Sequence, residues 1–417
     1  MDLQEMILNK AREARQASKA MNTVSTEVKN KALLDMAHAI EQRCSAIIEA
    51  NAVDLEQARK KGVKRSYLDR LMLDEGRVRS MADGLRQAAA LPDPIGEGDY
   101  CTVRPNGLEI RRVRVPLGVV GMIYEARPNV TADAIGLCLK SGNSVLLRGG
   151  SEALISNKVI AGIMAEAAYR AGIPEGAIEL VDSADREAVN IMLKLKGYLD
   201  VVIPRGGAGL IKTVVENSIV PVIETGTGVC HTYIDSPADL KMAMDIAINA
   251  KTSRPSVCNA METLLVHKDV AQSFLPALDT RMAELGCELR GCPKACAIVP
   301  DMKEALEEDW STEYCDLILS VKVVDNILEA IEHINRYNTG HSEAIITESL
   351  NNARLFQKCV DAAAVYVNAS TRFSDGCEFG FGAEIGISTQ KLHARGPMGL
   401  LALTSTKYLI MGDGQIR

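Results

Sequence analysis

The chain has 417 residues, of which 47% are apolar, 24% charged and 4% aromatic, with a net charge of −7. That length exceeds one ordinary core and calls for two or three domains. The acidic balance argues against a nucleic-acid partner, and the lack of an apolar run of about 18 residues argues against a membrane-spanning helix.

The first ninety residues read as helical, with Val28, Ala32, Leu33, Met36, Ile40, Ile47 and Ile48 at helical spacing. The opening stretch MDLQEMILNKAREARQASKAMN mixes charges and has no apolar core, so it reads as an amphipathic helix and not a leader. Pro92, Pro94, Gly96 and Gly98 mark a loop. Strands are expected at 113–115, 118–124 (GVVGMIY) and 144–148 (SVLLR), with a helix at 131–140 between the last two. A helix over 153–171 stops at Gly172, with Pro174 beyond. Short apolar strands follow at 177–181, 200–204 and 220–224 (VPVIE). Beyond residue 235, helices at 240–252 and 269–285 alternate with strands at 261–267, 317–324, 343–347 and 363–368. Residues 369–400 are glycine-rich and irregular, and 404–411 (TSTKYLIM) is a final strand. Such alternation implies two α/β units in tandem, each a parallel sheet with helices on both faces, with a boundary near 225–240.

Eleven scattered cysteines do not make a secreted disulfide framework, so a reducing, cytoplasmic setting is expected. Cys258 lies in SRPSVCNAMETLLVH, on a loop between a helix and a strand. Loops between rigid elements commonly present nucleophiles, and Arg254 is placed to lower a thiol pKa. A buried structural cysteine is the competing reading. Cys287, Cys292 and Cys296 have no standard zinc spacing, and none of the six histidines pairs at metal spacing, so no metal is expected. Two strand-to-helix turns, LRGGSE (147–152) and PRGGAGLI (204–211), offer backbone N–H groups suited to a phosphate. Two plain tight turns would look the same. Glu224 precedes the sharp turn Gly226-Thr227-Gly228, and could equally be a solvated strand-end carboxylate.

Together these pieces resemble the aldehyde dehydrogenase superfamily over nearly the whole chain. Members carry a glutamate before a glycine turn and a catalytic cysteine about 34 residues later, which matches Glu224 and Cys258. GNSVLLRGGSE (142–152) resembles the turn that holds the adenosine ribose, with Arg148 where a lysine is usual. EYCDLILSVKVV (313–324) resembles the segment whose glutamate, here Glu313, holds the nicotinamide ribose. Segments 114–134, 251–267 and 378–410 are most similar to the branch that reduces L-glutamyl 5-phosphate.

The resemblance implies two doubly wound parallel-sheet domains and a small β oligomerisation arm. A cofactor domain would take 1–98 and 117–228, a catalytic domain 229–398, and the arm 99–116 and 399–417. It implies NADPH as cofactor, held by Arg148, Ser151, Gly206, Gly207 and Glu313. Cys258 and Glu224 would be catalytic, and Arg127, Asn129, Arg254 and Arg372 would bind substrate, ahead of His231. It also implies a homo-oligomer and functional coupling to glutamate 5-kinase. Two departures stand out. The superfamily's oxyanion asparagine is missing near Ala126, leaving Asn129 or the Cys258 N–H as replacements, and the usual G-S-T turn is PRGG, with Arg205 intruding. A hydrolytic semialdehyde dehydrogenase of the same fold is the nearest alternative, separable by its independence from phosphate. A non-catalytic nucleotide-binding protein is the rival from another class, and the presence of Cys258 and Glu313 weighs against it.

Overall fold

The computed structural model describes residues 2–63, 65–125 and 127–417. Ala126, the position set against the missing oxyanion asparagine, lies outside the described residues. The chain divides into two units, one of Met1–Thr225, Gly380–Gly386 and Met398–Arg417, the other of Gly226–Phe379 and Ile387–Pro397.

In the first unit a parallel sheet takes the order Ile178–Leu180, Ser144–Gly149, Val119–Tyr124, Val201–Arg205. All six residues of Val119–Tyr124 are buried, as a continuous apolar run in a central parallel strand requires. The N-terminal helix Leu3–Met21 starts at Asp2, whose carboxylate accepts the Gln4 N–H. Ile7, Ala11 and Ala14 on that helix pack with Val119, Ile123 and Leu146 of the sheet. A separate antiparallel sheet joins Gly98–Val103, Glu109–Pro116 and Thr404–Met411, in that order.

The second unit is built on a seven-stranded parallel sheet. Its order is Lys303–Glu304, Glu288–Gly291, Ile318–Val324, Met261–His267, Cys230–Ile234, Ser342–Ile346, Ala364–Val367. Ala243, Ala247, Leu275 and Leu278 of two helices pack with Leu264, Val266 and Val321 of the sheet.

Two sequence expectations need correcting. VPVIE (220–224) forms no strand, only an isolated bridge between Val202 and Val222. Pro221 has no N–H to offer a ladder, although its carbonyl accepts the Val202 N–H at 2.8 Å. Conversely Cys230–Ile234 (CHTYI) is a fully buried strand that the apolar pattern concealed. Its histidine meets the neighbouring strand through its backbone and one ring nitrogen, while Nε2 is buried without a partner among the described residues. Glu343 Oε2 accepts from the His231 backbone N–H at 2.7 Å and lies 3.1 Å from His231 Nδ1. The helix expected from 153 begins with the 3-10 turn Ser151–Ala153 and continues as Leu154–Arg170.

His333, on the helix Ile327–Tyr337, is buried beside Trp310 and His231, with ring centroids 5.3 and 5.7 Å away. Burial, with His231, Lys322 and Arg336 adding positive charge, pushes its pKa down to about 2. The unfolded chain binds this proton near pH 6.5 and the folded chain does not, so acid below that value erodes stability. His333→Phe keeps the ring packing and removes the proton. Its melting temperature is expected to fall less than wild type between about pH 7 and pH 5, and equal slopes would refute this.

Candidate active site

In the second unit, Cys258 sits on a turn between the helix Leu240–Thr252 and the strand Met261–His267, half-buried. The next residue, Asn259, is buried and organises the loop. Its Nδ2 donates to the carbonyls of Arg372 at 3.1 Å and Ser374 at 3.0 Å. Its own carbonyl accepts from Thr371 Oγ1 at 2.7 Å, and its Oδ1 accepts from Arg372 Nη1. The 370–374 loop is thereby stitched to the residue beside the thiol.

Arg372 Nε also donates to Ser253 Oγ at 3.1 Å. Burial lowers the Arg372 pKa from the usual arginine value, and repulsion from Arg254 lowers it further. Negative charge on Cys258 opposes both. Two of the four expected substrate residues, Arg254 and Arg372, therefore share one electrostatic neighbourhood with Cys258. Positive charge of that kind favours a thiolate.

The glycine turn meets the same loop. A Cβ on Gly228 would coincide with the Cys258 carbonyl group, so no residue but glycine fits there. The Gly228 N–H donates to Glu313 Oε1 at 3.0 Å. The buried Cys230 thiol donates to the Cys258 carbonyl at 3.2 Å. His231, the lesser substrate candidate, is fully buried against Glu343.

The remaining expected residues lie in the first unit. Arg148 is the penultimate residue of the strand Ser144–Gly149, is 7% exposed, and donates through Nη2 to the Asp185 carbonyl at 3.1 Å. Its Nε is buried without a partner among the described residues. Ser151 opens the 3-10 turn and is exposed. Gly206 and Gly207 precede the helix Ala208–Asn217. The Gly207 N–H donates to Glu125 Oε2 at 3.0 Å, and a Cβ on Gly206 would strike that carboxylate. Asn129 begins the helix Asn129–Lys140 and donates to Asp133 Oδ2 at 3.0 Å. Burial pushes the Asp133 pKa up to about 6, opposed by the Asn129 hydrogen bond and by Arg205. Arg127 precedes this helix and its carbonyl accepts the Val130 N–H. Glu224 is half-buried at the end of this unit, next to Thr225, whose Oγ1 donates to the Pro204 carbonyl at 2.8 Å.

Asn259, Cys230 and Glu125 escaped the sequence reading. Only Asn259 left a trace, as the polar neighbour of Cys258. Cys292 and Cys296 are engaged locally. Cys292 Sγ accepts the Val323 N–H at 3.3 Å, and Cys296 Sγ donates to the Gly291 carbonyl at 3.3 Å. Among the described residues no group of three or more His, Cys, Asp or Glu is placed to hold a metal ion. Likewise no helix among them is long and apolar enough to cross a membrane.

The model of the aldehyde dehydrogenase family matches residues 3–291 and 299–407. The chain belongs to that family and is an oxidoreductase. Its relatives narrow the class further. It is 61% identical over 411 residues to the gamma-glutamyl phosphate reductase of Moorella thermoacetica, covering 99% of this chain and 98% of that one. It is 60% identical over 408 residues to the enzyme of that name from Caldanaerobacter subterraneus subsp. tengcongensis, covering 98% and 99%. The crystal structure of gamma-glutamyl phosphate reductase from Thermotoga maritima superposes with a TM-score of 0.96, at 52% identity and 99% coverage of both chains. An acetylating aldehyde dehydrogenase from Geobacillus thermoglucosidasius shares the fold alone, at 19% identity and a TM-score of 0.74 over 100% of this chain and 98% of that one.

Gly228→Ala is expected to lower the turnover rate by about 100-fold, because the added methyl must displace the backbone that carries Cys258. Initial rates and a thermal melt check this. A variant within about twofold of wild type would show that the turn and the Cys258 loop are uncoupled.

Proposed function

We propose that the chain reduces L-glutamyl 5-phosphate with NADPH to L-glutamate 5-semialdehyde and phosphate, through a thioester on Cys258. This is the second step of L-proline synthesis from glutamate, and a cytoplasmic site follows from that role. The observation that carries the reading is the Cys258 loop, with Arg254 and Arg372 as its cationic neighbours. The names of the relatives at about 60% identity support the substrate.

The chemistry accounts for the residue types. The Cys258 thiolate attacks the acyl carbon, a C–S bond forms, and the bond to the phosphate oxygen breaks. Phosphate leaves as an anion, so the step needs cations more than a general acid. Arg254 and Arg372 supply positive charge, and arginine suits phosphate by its bidentate fork. Covalent catalysis divides the reduction into two easier steps. The nicotinamide, when bound, supplies a hydride to the thioester carbon. The resulting tetrahedral oxyanion on Cys258 needs fixed donors, for which the Cys258 N–H and Asn129 are the candidates. Its collapse breaks the C–S bond, releases the aldehyde and restores the thiolate.

Arg148 fits a phosphorylated ribose. Its buried Nε has no partner among the described residues, and a 2′-phosphate would satisfy it. Ser151, Gly206, Gly207 and Glu313 would line the rest of the cofactor site. Arg127 joins Arg254 and Arg372 as a substrate residue. Glu224 is positional, since a base that activated water would hydrolyse the thioester before reduction. The terminal strand Thr404–Met411 lies at a sheet edge with Tyr408, Ile410 and Met411 exposed, which supports a homo-oligomer. An acyl phosphate is short-lived in water, which supports functional coupling to the kinase that makes it, glutamate 5-kinase.

The deciding assay follows NADP+ reduction by glutamate semialdehyde, with NAD+ alongside for preference. Wild type is expected to require phosphate, Cys258→Ala to be inactive, and Glu224→Gln to retain turnover. Phosphate-independent turnover would replace this reading with the hydrolytic one.

Arg127→Ala, Arg254→Ala and Arg372→Ala are expected to raise KM for the phosphorylated substrate by about tenfold or more, a charge-assisted hydrogen bond being worth roughly that much. Steady-state kinetics on the acyl phosphate check this. An unchanged KM in all three would remove the arginines from the substrate site.

A further inference from the structure

Lys251 and Glu262 form an ion pair that the mechanism above does not use. Lys251 Nζ lies 2.5 Å from Glu262 Oε2, and the two side chains are 0% and 1% exposed. Their positions are informative. Lys251 lies in the last turn of the helix that runs into the Cys258 loop, and Glu262 lies near the start of the strand that leaves it. The pair therefore closes the base of the loop.

Glu262 has a second oxygen, and it points elsewhere. Its Oε1 accepts the Cys315 N–H at 3.4 Å. Cys315 is two residues beyond Glu313 and has φ of 53°, a left-handed conformation unusual for a residue with a side chain. Tyr314, between them, has its ring centroid 5.7 Å from Lys251 Nζ, and its hydroxyl lies 2.7 Å from Ser320 Oγ. Glu313 in turn accepts the N–H of Gly228, which is pressed against the Cys258 carbonyl. Lys251, Glu262, Cys315, Glu313, Gly228 and Cys258 thus make a closed circuit.

A buried ion pair is a poor source of net stability, because desolvation consumes most of the attraction. Its geometry is another matter. We propose that Lys251 and Glu262 are a positioning pair, in which the Glu262–Cys315 link sets the Glu313 carboxylate for the cofactor ribose. This rests on the reading of Glu313 as a cofactor residue.

The test compares two doubly substituted full-length enzymes, both without the buried charges. Lys251→Met with Glu262→Gln keeps an acceptor for the Cys315 N–H. Lys251→Met with Glu262→Leu removes it. Thermal melts confirm folding, and the rate of iodoacetamide alkylation at Cys258 reads the thiol independently. The Leu variant is expected to lose about tenfold in kcat/KM for NADP+, with alkylation unchanged, while the Gln variant stays within about twofold of wild type. Equal kcat/KM values in the two variants would overturn the proposal, as would a loss matched by slower alkylation. Glu313→Gln, assayed alongside, is expected to reproduce the Leu phenotype. If Glu313→Gln has wild-type kcat/KM, the failure lies in the role of Glu313 itself, and the proposal falls with it.

Discussion

The close approach of Gly228 to the Cys258 carbonyl governs the geometry of the second unit. Two backbone segments meet there with no room for a side chain between them. Each segment is held by partners of its own. Glu313 holds the glycine side through the Gly228 N–H, and the Cys230 thiol and Asn259 hold the cysteine side. Contact without slack suits the nucleophile proposed at Cys258, because a reacting thiol misplaced by an ångström loses most of its advantage.

The same logic explains why the sheet beneath the site tolerates polar residues. Cys230–Ile234 is fully buried yet contains His231 and Thr232. An apolar substitute for Cys230 would have no hydrogen to give the Cys258 carbonyl. His231 Nδ1 and Glu343 Oε2 meet across neighbouring strands, while His231 Nε2 and Glu343 Oε1 are buried without a partner among the described residues. Of the polar groups in this strand it is the Cys230 thiol that reaches the loop, and the helices on the sheet provide the apolar burial.

These features differ in how plainly they are written in the sequence. The helix at 240–252 and the strands at 261–267 and 404–411 have the bounds the pattern predicts, because each is an uninterrupted run with clear ends. The strand CHTYI was illegible, since its burial depends on Glu343, over a hundred residues away. VPVIE misled in the opposite direction, because strand-like composition cannot reveal that only one residue of it finds a ladder partner. Motif order was enough to single out Cys258 and Glu313 in the sequence. The Asn259 bonds, the Glu125 carboxylate at Gly207 and the Lys251–Glu262 pair were not, because they are products of tertiary approach and have no local signature.

The antiparallel sheet of the first unit carries a consequence for how the chain is made. Glu109–Pro116 pairs on one side with Thr404–Met411, along a register running from Thr404 opposite Pro116 to Met411 opposite Glu109. The Asn143 side chain, too, donates to the carbonyl of Leu403. During synthesis the early strand emerges long before its partner, and the whole second unit is translated in the interval. The first unit therefore cannot complete itself until residues 404–411 have been delivered. Non-local pairing of this span is slow to close, and an unpaired strand edge is exposed to other chains while it waits. The order of manufacture thus makes Thr404–Met411, translated after the second unit, the closing step of the first.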